Sequence, residues 1–330
     1  MWFKNLTGFH EESPENVRRH LRIEGDAFVS TVNQKKFAFG RLEIATLEEL
    51  RQHQTTALAT DKGTLNLSEI VGNVRHLHTL PHNANALFQA ASQFNLLEMV
   101  EPNVTPEQGI DRYELDHTQG PACAIACGAG TIYRNYFVEM GDQLGQTAHQ
   151  QIDCLELVGQ YLQDDERPLW TMKNGYAFIP ESGLLAINKK LHAMSDEERE
   201  DLKGKLKVGI QWNTEVTIAE QPQRVSQIYC SALPVAYNST DAMYWESFAR
   251  IILEATYEAT FFAALRNLQM TGSNLLYLTL VGGGAFGNDE NWILESIQKV
   301  VHQFKNVPLD VNFVSYGSSN ARLRAKMQLQ

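Results

Sequence analysis

The chain has 330 residues, 43% hydrophobic and 20% charged, with 22 Gly, 10 Pro and a formal net charge of −11. That composition supports a sizeable core and excludes a disordered, collagen-like or coiled-coil chain. With 28 Lys+Arg against 39 Asp+Glu and an isoelectric point near 5.4, it also excludes broad electrostatic binding to a nucleic-acid polymer, so an anionic ligand must be held by a local device such as backbone amides.

The first residues lack an apolar h-region and a small-residue cleavage site. No apolar run approaches the roughly 20 residues of a membrane span. The four cysteines, Cys123, Cys127, Cys154 and Cys230, are too few for a disulfide scaffold. No second pair with zinc spacing follows Cys123 and Cys127, so they read as small buried residues in a reducing compartment. The expectation is an intracellular protein, cytoplasmic or nuclear, with no membrane partner, no resident metal and no cofactor.

Residues 1–80 read as a smaller, more polar N-terminal α+β extension. Residues 27–32 and 37–39 flank Asn33-Gln34-Lys35-Lys36 and predict a hairpin. Leu47 and Leu50 carry helical spacing over 45–54, and 59–66 is the soft boundary. Residues 81–330 read as a second, larger domain. A buried strand is predicted over 86–91, a long loop with Pro102 and Pro106 follows, and Pro121 opens a helix over 122–137. Another helix is predicted near 151–162 and strands over 208–219 and 225–236, with Pro222 between the strands.

The longest helix is predicted over 241–268, where Phe248, Ile251, Ile252, Ala255, Ala259, Phe262 and Leu265 recur at helical steps as a core stripe. The continuous apolar run 275–281 suits a central strand covered on both faces. A further amphipathic helix carries Ile293, Ile297, Val300, Val301 and Phe304, and 309–316 closes with a strand. Alternating strands and helices around apolar runs predict an α/β fold: a three-layer α/β/α mixed sheet.

Gly282-Gly283-Gly284-Ala285-Phe286-Gly287-Asn288 lies between the 275–281 strand and the next helix. Glycines free the backbone and remove Cβ atoms, so successive amides can converge on an anion. The alternative reading is a tight strand-to-helix turn. No Gly-Lys-Ser/Thr ending is present, so this is not a Walker loop. Gly282, Gly284 and Gly287 satisfy G-x-G-x-x-G, but too little chain follows for a doubly wound domain, and the next strand ends without an acid to hold a ribose. Asp289 and Glu290 in the following first turn read as capping residues, or as partners for sugar hydroxyls or a cationic group.

The second dense cluster comprises Gln93, Asn95 and Glu98, then Glu107, Asp111, Asp116, Gln119 and Gly120. Carboxylates and amides crowd the exit of a buried strand, where open α/β sheets bind ligands. One loop of amides and one of carboxylates on the same edge suit a phosphorylated sugar, while solvated loop carboxylates are the plain alternative.

With these residues in view, the chain resembles a divergent macrodomain. The resemblance rests on Phe88-Gln89-Ala90-Ala91-Ser92-Gln93-Phe94-Asn95, on the junction from Asp116 to Ala122, on the loop from Leu280 to Asn288, and on the closing strand ending Val314-Ser315-Tyr316. It covers roughly residues 80–320 and is similar to poly(ADP-ribose) glycohydrolases and, more closely, to arginine-specific ADP-ribosylhydrolase macrodomains. The resemblance implies a macrodomain-like sheet, and ADP-ribose or an ADP-ribosylated protein as partner. It implies that Gly282, Gly283, Gly284, Ala285, Phe286, Gly287 and Asn288 hold the diphosphate. Gln93, Asn95, Glu98, Gln119, Gly120 and Tyr316 then contact the rest of the ligand. The first loop lacks the family's Gly-Gly-Gly…Gln-Glu-Glu signature: Gln119-Gly120-Pro121 stands in that place, so its catalytic glutamates are not carried over.

The implied activity is removal of mono-ADP-ribose from a protein side chain, plausibly arginine, with Asp116 as first catalytic carboxylate and Asp111 and Glu107 as alternates. A non-catalytic ADP-ribose-binding module and an ADP-ribose phosphoesterase are the competing readings. A cysteine hydrolase, suggested faintly by Gln119-Gly120-Pro121-Ala122-Cys123, lacks a recognisable His/Asn setting.

Overall fold

The computed structural model describes residues 1–60, 63–163 and 168–329. Seven strands form the main sheet: β1 (Arg41–Thr46), β2 (Asn66–Val71), β3 (Leu87–Ala91), β4 (Lys207–Glu215), β5 (Arg224–Cys230), β6 (Leu275–Leu278) and β7 (Asp310–Ser315). Their spatial order is β1-β4-β5-β3-β6-β7-β2. β5, β3, β6, β7 and β2 run parallel, while β4 is antiparallel to both its neighbours.

Successive residues of a strand face opposite sides, and β3 shows what covers each. Gln89 Nε2 donates to Thr260 Oγ1 at 2.8 Å, reaching the long helix Glu246–Thr271 on one face. Phe88 stacks at 3.8 Å on His78 of helix Val74–Thr79, on the other. Helices Leu47–Thr60 and Glu290–Gln303 flank the long helix, and helices Gln119–Ala126 and Gly128–Tyr136 share the second face. The fold is the expected three-layer α/β/α mixed sheet. Among the described residues no helix is long and apolar enough to cross a membrane.

Several boundaries differ from the sequence reading. The unit expected over 1–80 is smaller, because β1 and β2 are the two edges of the main sheet. Residues 21–38 supply a separate three-stranded meander, which includes the expected hairpin, Ala27 pairing with Ala38. Aromatic residues of the N-terminal helix and of this meander, Trp2 and Phe3 with Phe28 and Phe37, pack with Ile110, Tyr113 and Tyr136 in a second core. Both edge strands are exposed or half-buried at nearly every position and mix polar with apolar residues, which gave β1 and β2 no apolar run to read.

The helix expected over 122–137 is two, broken at Cys127 (φ −113°, ψ 57°), where the Gly128 amide turns to Thr217 Oγ1 at 3.1 Å. The long helix begins at Glu246, because Asp241 instead caps a short turn by accepting from the Met243 amide at 3.1 Å. The soft boundary at 59–66 includes residues 61 and 62, outside the described residues.

Candidate functional site

All five parallel strands end on one edge of the sheet, the edge at which ligands bind in open α/β folds. A cavity of about 270 Å³ opens there between the segment after β3 and the glycine loop after β6. A second, of about 760 Å³, extends towards the ends of β2 and β7. Asp116, Thr118, Gln119, Thr279 and Leu280 line both, so the two form one cleft.

The glycine loop is closed by its own backbone. The Gly283 amide donates to Leu280 O at 3.1 Å, Gly287 to Gly284 O at 3.0 Å, and Asn288 to Gly282 O at 3.0 Å. Gly282 and Gly287 have left-handed φ of +82° and +70°, and a Cβ at Gly282 would stand 2.5 Å from that of Ala232. The buried Asn288 side chain ties the loop to Leu233 O at 2.8 Å. This is the tight turn of the plain reading, yet among the described residues the amides of Gly284, Ala285 and Phe286 donate to nothing. All three of these residues line the smaller cavity, while Gly283, Gly287 and Asn288 build the turn behind it. Asp289 caps the next helix by accepting from the Asn291 amide at 2.8 Å, and Glu290 is paired with Arg322 at 2.8 Å.

The opposite wall depends on buried polar contacts. Gln93 accepts from the Met99 amide at 2.8 Å and donates to Met99 O at 3.2 Å and Tyr176 Oη at 3.3 Å. Asn95 accepts from the Leu97 amide at 3.1 Å and donates to Gln151 Oε1 at 2.8 Å. Directly after Asn95, Leu96 adopts φ +63°, a costly conformation for a residue with a side chain. Arg134, 0% exposed, holds it there: Nε donates to Leu96 O at 3.1 Å, and the guanidinium lies 3.5 Å from the centre of the Tyr229 ring. No carboxylate among the described residues pairs with Arg134.

This loop delivers Glu98 into the smaller cavity, 4% exposed. The Glu98 amide donates to Tyr113 Oη at 2.9 Å, but its carboxyl accepts no hydrogen bond among the described residues, and Oε1 is wholly buried without a partner. Burial pushes this carboxyl well above the usual range; Arg134 pulls the other way and Asp116 adds to the rise. Its packing partner is Gly120, where a Cβ would strike both Ala91 O and the Glu98 carboxyl. Gln119 beside it extends the sheet ladder, accepting from the Ala91 amide at 2.9 Å and donating to Gln89 O at 2.7 Å.

Asp116 is half-buried on the boundary of the two cavities and accepts from the Thr118 amide at 2.8 Å. Glu107 and Asp111 line neither cavity. Glu107 accepts from the Ala148 amide at 2.8 Å, and Asp111 faces the Phe3 amide at 3.4 Å. Asn95 and Gln93 act on the loop itself, although Gln93 also borders the cavity. Tyr316, 79% exposed, lines the larger cavity. Cys123 is buried and its thiol is pushed well up by burial, which leaves no thiolate for a cysteine hydrolase.

Sequence reasoning missed two sets of wall residues. Tyr176 and Tyr237 close an aromatic cluster with Phe286, with ring centres 5.1–5.7 Å apart. Both come from remote segments with no local signal. Gly72 and Asn73 line the larger cavity, and Asn73 caps helix Val74–Thr79. A strand ending in glycine and a capping asparagine before a helix was a readable signal.

An open amide loop thus faces a carboxylate-bearing loop across one edge of this α/β/α sheet. Among solved structures, the chain is similar to poly(ADP-ribose) glycohydrolase from Thermomonospora curvata, at 13% identity over 95% of this chain and 94% of that one, with a TM-score of 0.47. It is also similar to that enzyme from Deinococcus radiodurans in complex with ADP-ribose, at 11% identity over 87% and 94%, with a TM-score of 0.45. No protein-family model and no curated protein matches the chain.

Proposed function

We propose that this protein hydrolyses the glycosidic bond by which ADP-ribose is attached to an acceptor. The observation that carries the reading is that free amides and carboxylates meet in one cleft: residues 284–286 offer donors to a diphosphate, and Glu98 and Asp116 border the same cavity. In this reading the larger cavity takes the adenosine, against the exposed ring of Tyr316, and the smaller takes the ribose whose bond is cut. Asp116 activates the attacking water as charge develops on the sugar. The acidic protein thus binds its anion by geometry, with weak salt dependence.

An arginine acceptor is the finer reading. The smaller cavity is lined by two carboxyl groups and three aromatic rings and by no Lys, Arg or His, so a guanidinium there would meet hydrogen-bond acceptors and ring faces and no like charge. The test is ADP-ribose release from an arginine-modified protein by wild type and Asp116→Asn, alongside calorimetry with ADP-ribose. Release is expected to fall about 100-fold with affinity little changed. Undiminished release removes Asp116 from the mechanism. Tight ADP-ribose binding without turnover on any linkage favours the binding module, and phosphate release from a terminally phosphorylated ligand favours the phosphoesterase.

A further inference from the structure

The most heavily braced residue in the cleft is one whose own polar atoms are idle. A buried carboxyl ordinarily holds a cap, a loop amide or a cation, since burial without a partner is costly. Glu98 does none of these. Neither oxygen accepts a hydrogen bond among the described residues, and Oε1 is sealed from solvent. Yet three devices are directed at keeping it in place: the left-handed Leu96 held by Arg134, the Tyr113 hydroxyl under its amide, and the absence of a side chain at residue 120, which leaves room for its carboxyl. Strain and an unpaired polar group held by their surroundings are features of chemistry rather than of stability.

We infer that Glu98 is the general acid of this site, the carboxylic acid that the Arg134-braced loop delivers into the smaller cavity against Gly120. The inference rests on the function proposed above.

The groups facing Glu98 set its proton. Arg134 and Asp116 are the charged ones, while Tyr113, Tyr176, Tyr229 and the Cys123 thiol are neutral neighbours with raised proton affinity. Burial raises the proton affinity of Glu98, while Asp116 lies half-buried where the two cavities meet; in the proposed step the first gives a proton and the second takes one. In the step, the bond from the anomeric carbon to the acceptor atom breaks with its electron pair going to that atom, which receives the Glu98 proton. Water oxygen bonds to the anomeric carbon and passes a proton to Asp116. Solvent then returns a proton to Glu98 and removes one from Asp116, so the net change is one water consumed per acceptor released.

The test compares wild type, Glu98→Gln and Glu98→Asp on an ADP-ribosylated substrate across pH, with ADP-ribose affinity measured in parallel. Glu98→Gln replaces a neutral acid by a neutral amide of the same shape and is expected to fold. It should lower kcat at least 100-fold while the affinity for ADP-ribose stays within threefold. In wild type, the limb of kcat/KM lost as the pH rises should lie above the ordinary carboxylate range, the direction in which burial moves Glu98, and that limb should be absent from Glu98→Gln. The wild-type alkaline fall stands as evidence even if the variant proves unstable. Glu98→Gln turning over within threefold of wild type overturns the assignment, as does a wild-type profile that loses its acid near the ordinary carboxylate range. Failure of wild type to bind ADP-ribose overturns the proposed function itself.

Discussion

The glycine loop and the polar loop face each other across the cleft, and they hold their shapes by different means. Residues 282–288 close on themselves through backbone bonds spanning a few positions, with Asn288 to Leu233 O and the Ala236 amide to Phe286 O as ties outward. The polar loop is held from afar: Leu96 by Arg134, 38 positions away, Asn95 by Gln151, 56 positions away, and Phe94 by the Gly175 carbonyl. One loop presents backbone amides whose placement follows from glycine conformations. The other presents a carboxyl whose placement follows from a buried cation and a close backbone approach. The first is a property of a segment and the second of the whole fold, so substitutions should act on them differently.

The largest effect is expected at Gly120, where the polar loop meets the helix that follows it. A methyl group there would run into Ala91 O, which is main chain and cannot swing aside, and into the Glu98 carboxyl. Gly120→Ala should cost about 3 kcal/mol in urea unfolding and reduce hydrolysis below one-hundredth of wild type, because β3, the helix and Glu98 must separate. Wild-type stability and activity in Gly120→Ala would break the comparison by showing that the two elements are not in close register.

Arg134→Met should act on the same loop with a smaller effect on stability. Methionine removes the cation but leaves Leu96 O without its donor, a cost of about 1–3 kcal/mol, so the melting temperature should fall by only a few degrees. With that bond gone, kcat should fall at least tenfold as Glu98 loses its fixed position. Arg134 also favours the charged form of Glu98. Its removal should therefore shift the alkaline limb of kcat/KM to higher pH, while ADP-ribose affinity, set by the glycine loop, stays within threefold. An unmoved limb would show that Arg134 does not act on Glu98.

That division explains what could be read from the chain. The layered fold, the glycine loop and the strand ending at Ala91 were legible because continuous apolar runs and clustered glycines carry their meaning within a few residues. β1 and β2 were not, since edge strands that mix polar with apolar residues have no apolar run. Among the acids, Asp116 stood first in sequence with Asp111 and Glu107 as alternates. The fold separates them further, by turning Glu107 to the Ala148 amide and Asp111 to Phe3. Glu98 was visible as a polar residue near a strand end, but its burial, its idle oxygens and the brace from Arg134 exist only in three dimensions.

The smallest structural effect, and the sharpest test of the glycine loop, is expected at Gly284. At Gly282 a methyl group meets Ala232 at 2.5 Å on a left-handed backbone, so Gly282→Ala confounds strain with any loss of ligand contact. At Gly284 nothing lies within 4 Å of an added Cβ and the backbone is not left-handed. Gly284→Ala should therefore leave stability unchanged or raise it by about 0.5 kcal/mol, because alanine restricts the unfolded chain. The methyl group nevertheless enters the space before the free amides of residues 284–286, where a diphosphate has to approach closely. Calorimetry should show ADP-ribose bound about tenfold more weakly by a protein as stable as wild type. That pairing separates a glycine kept for a ligand from one kept for a turn, and an affinity within twofold of wild type would place the anion elsewhere in the cleft.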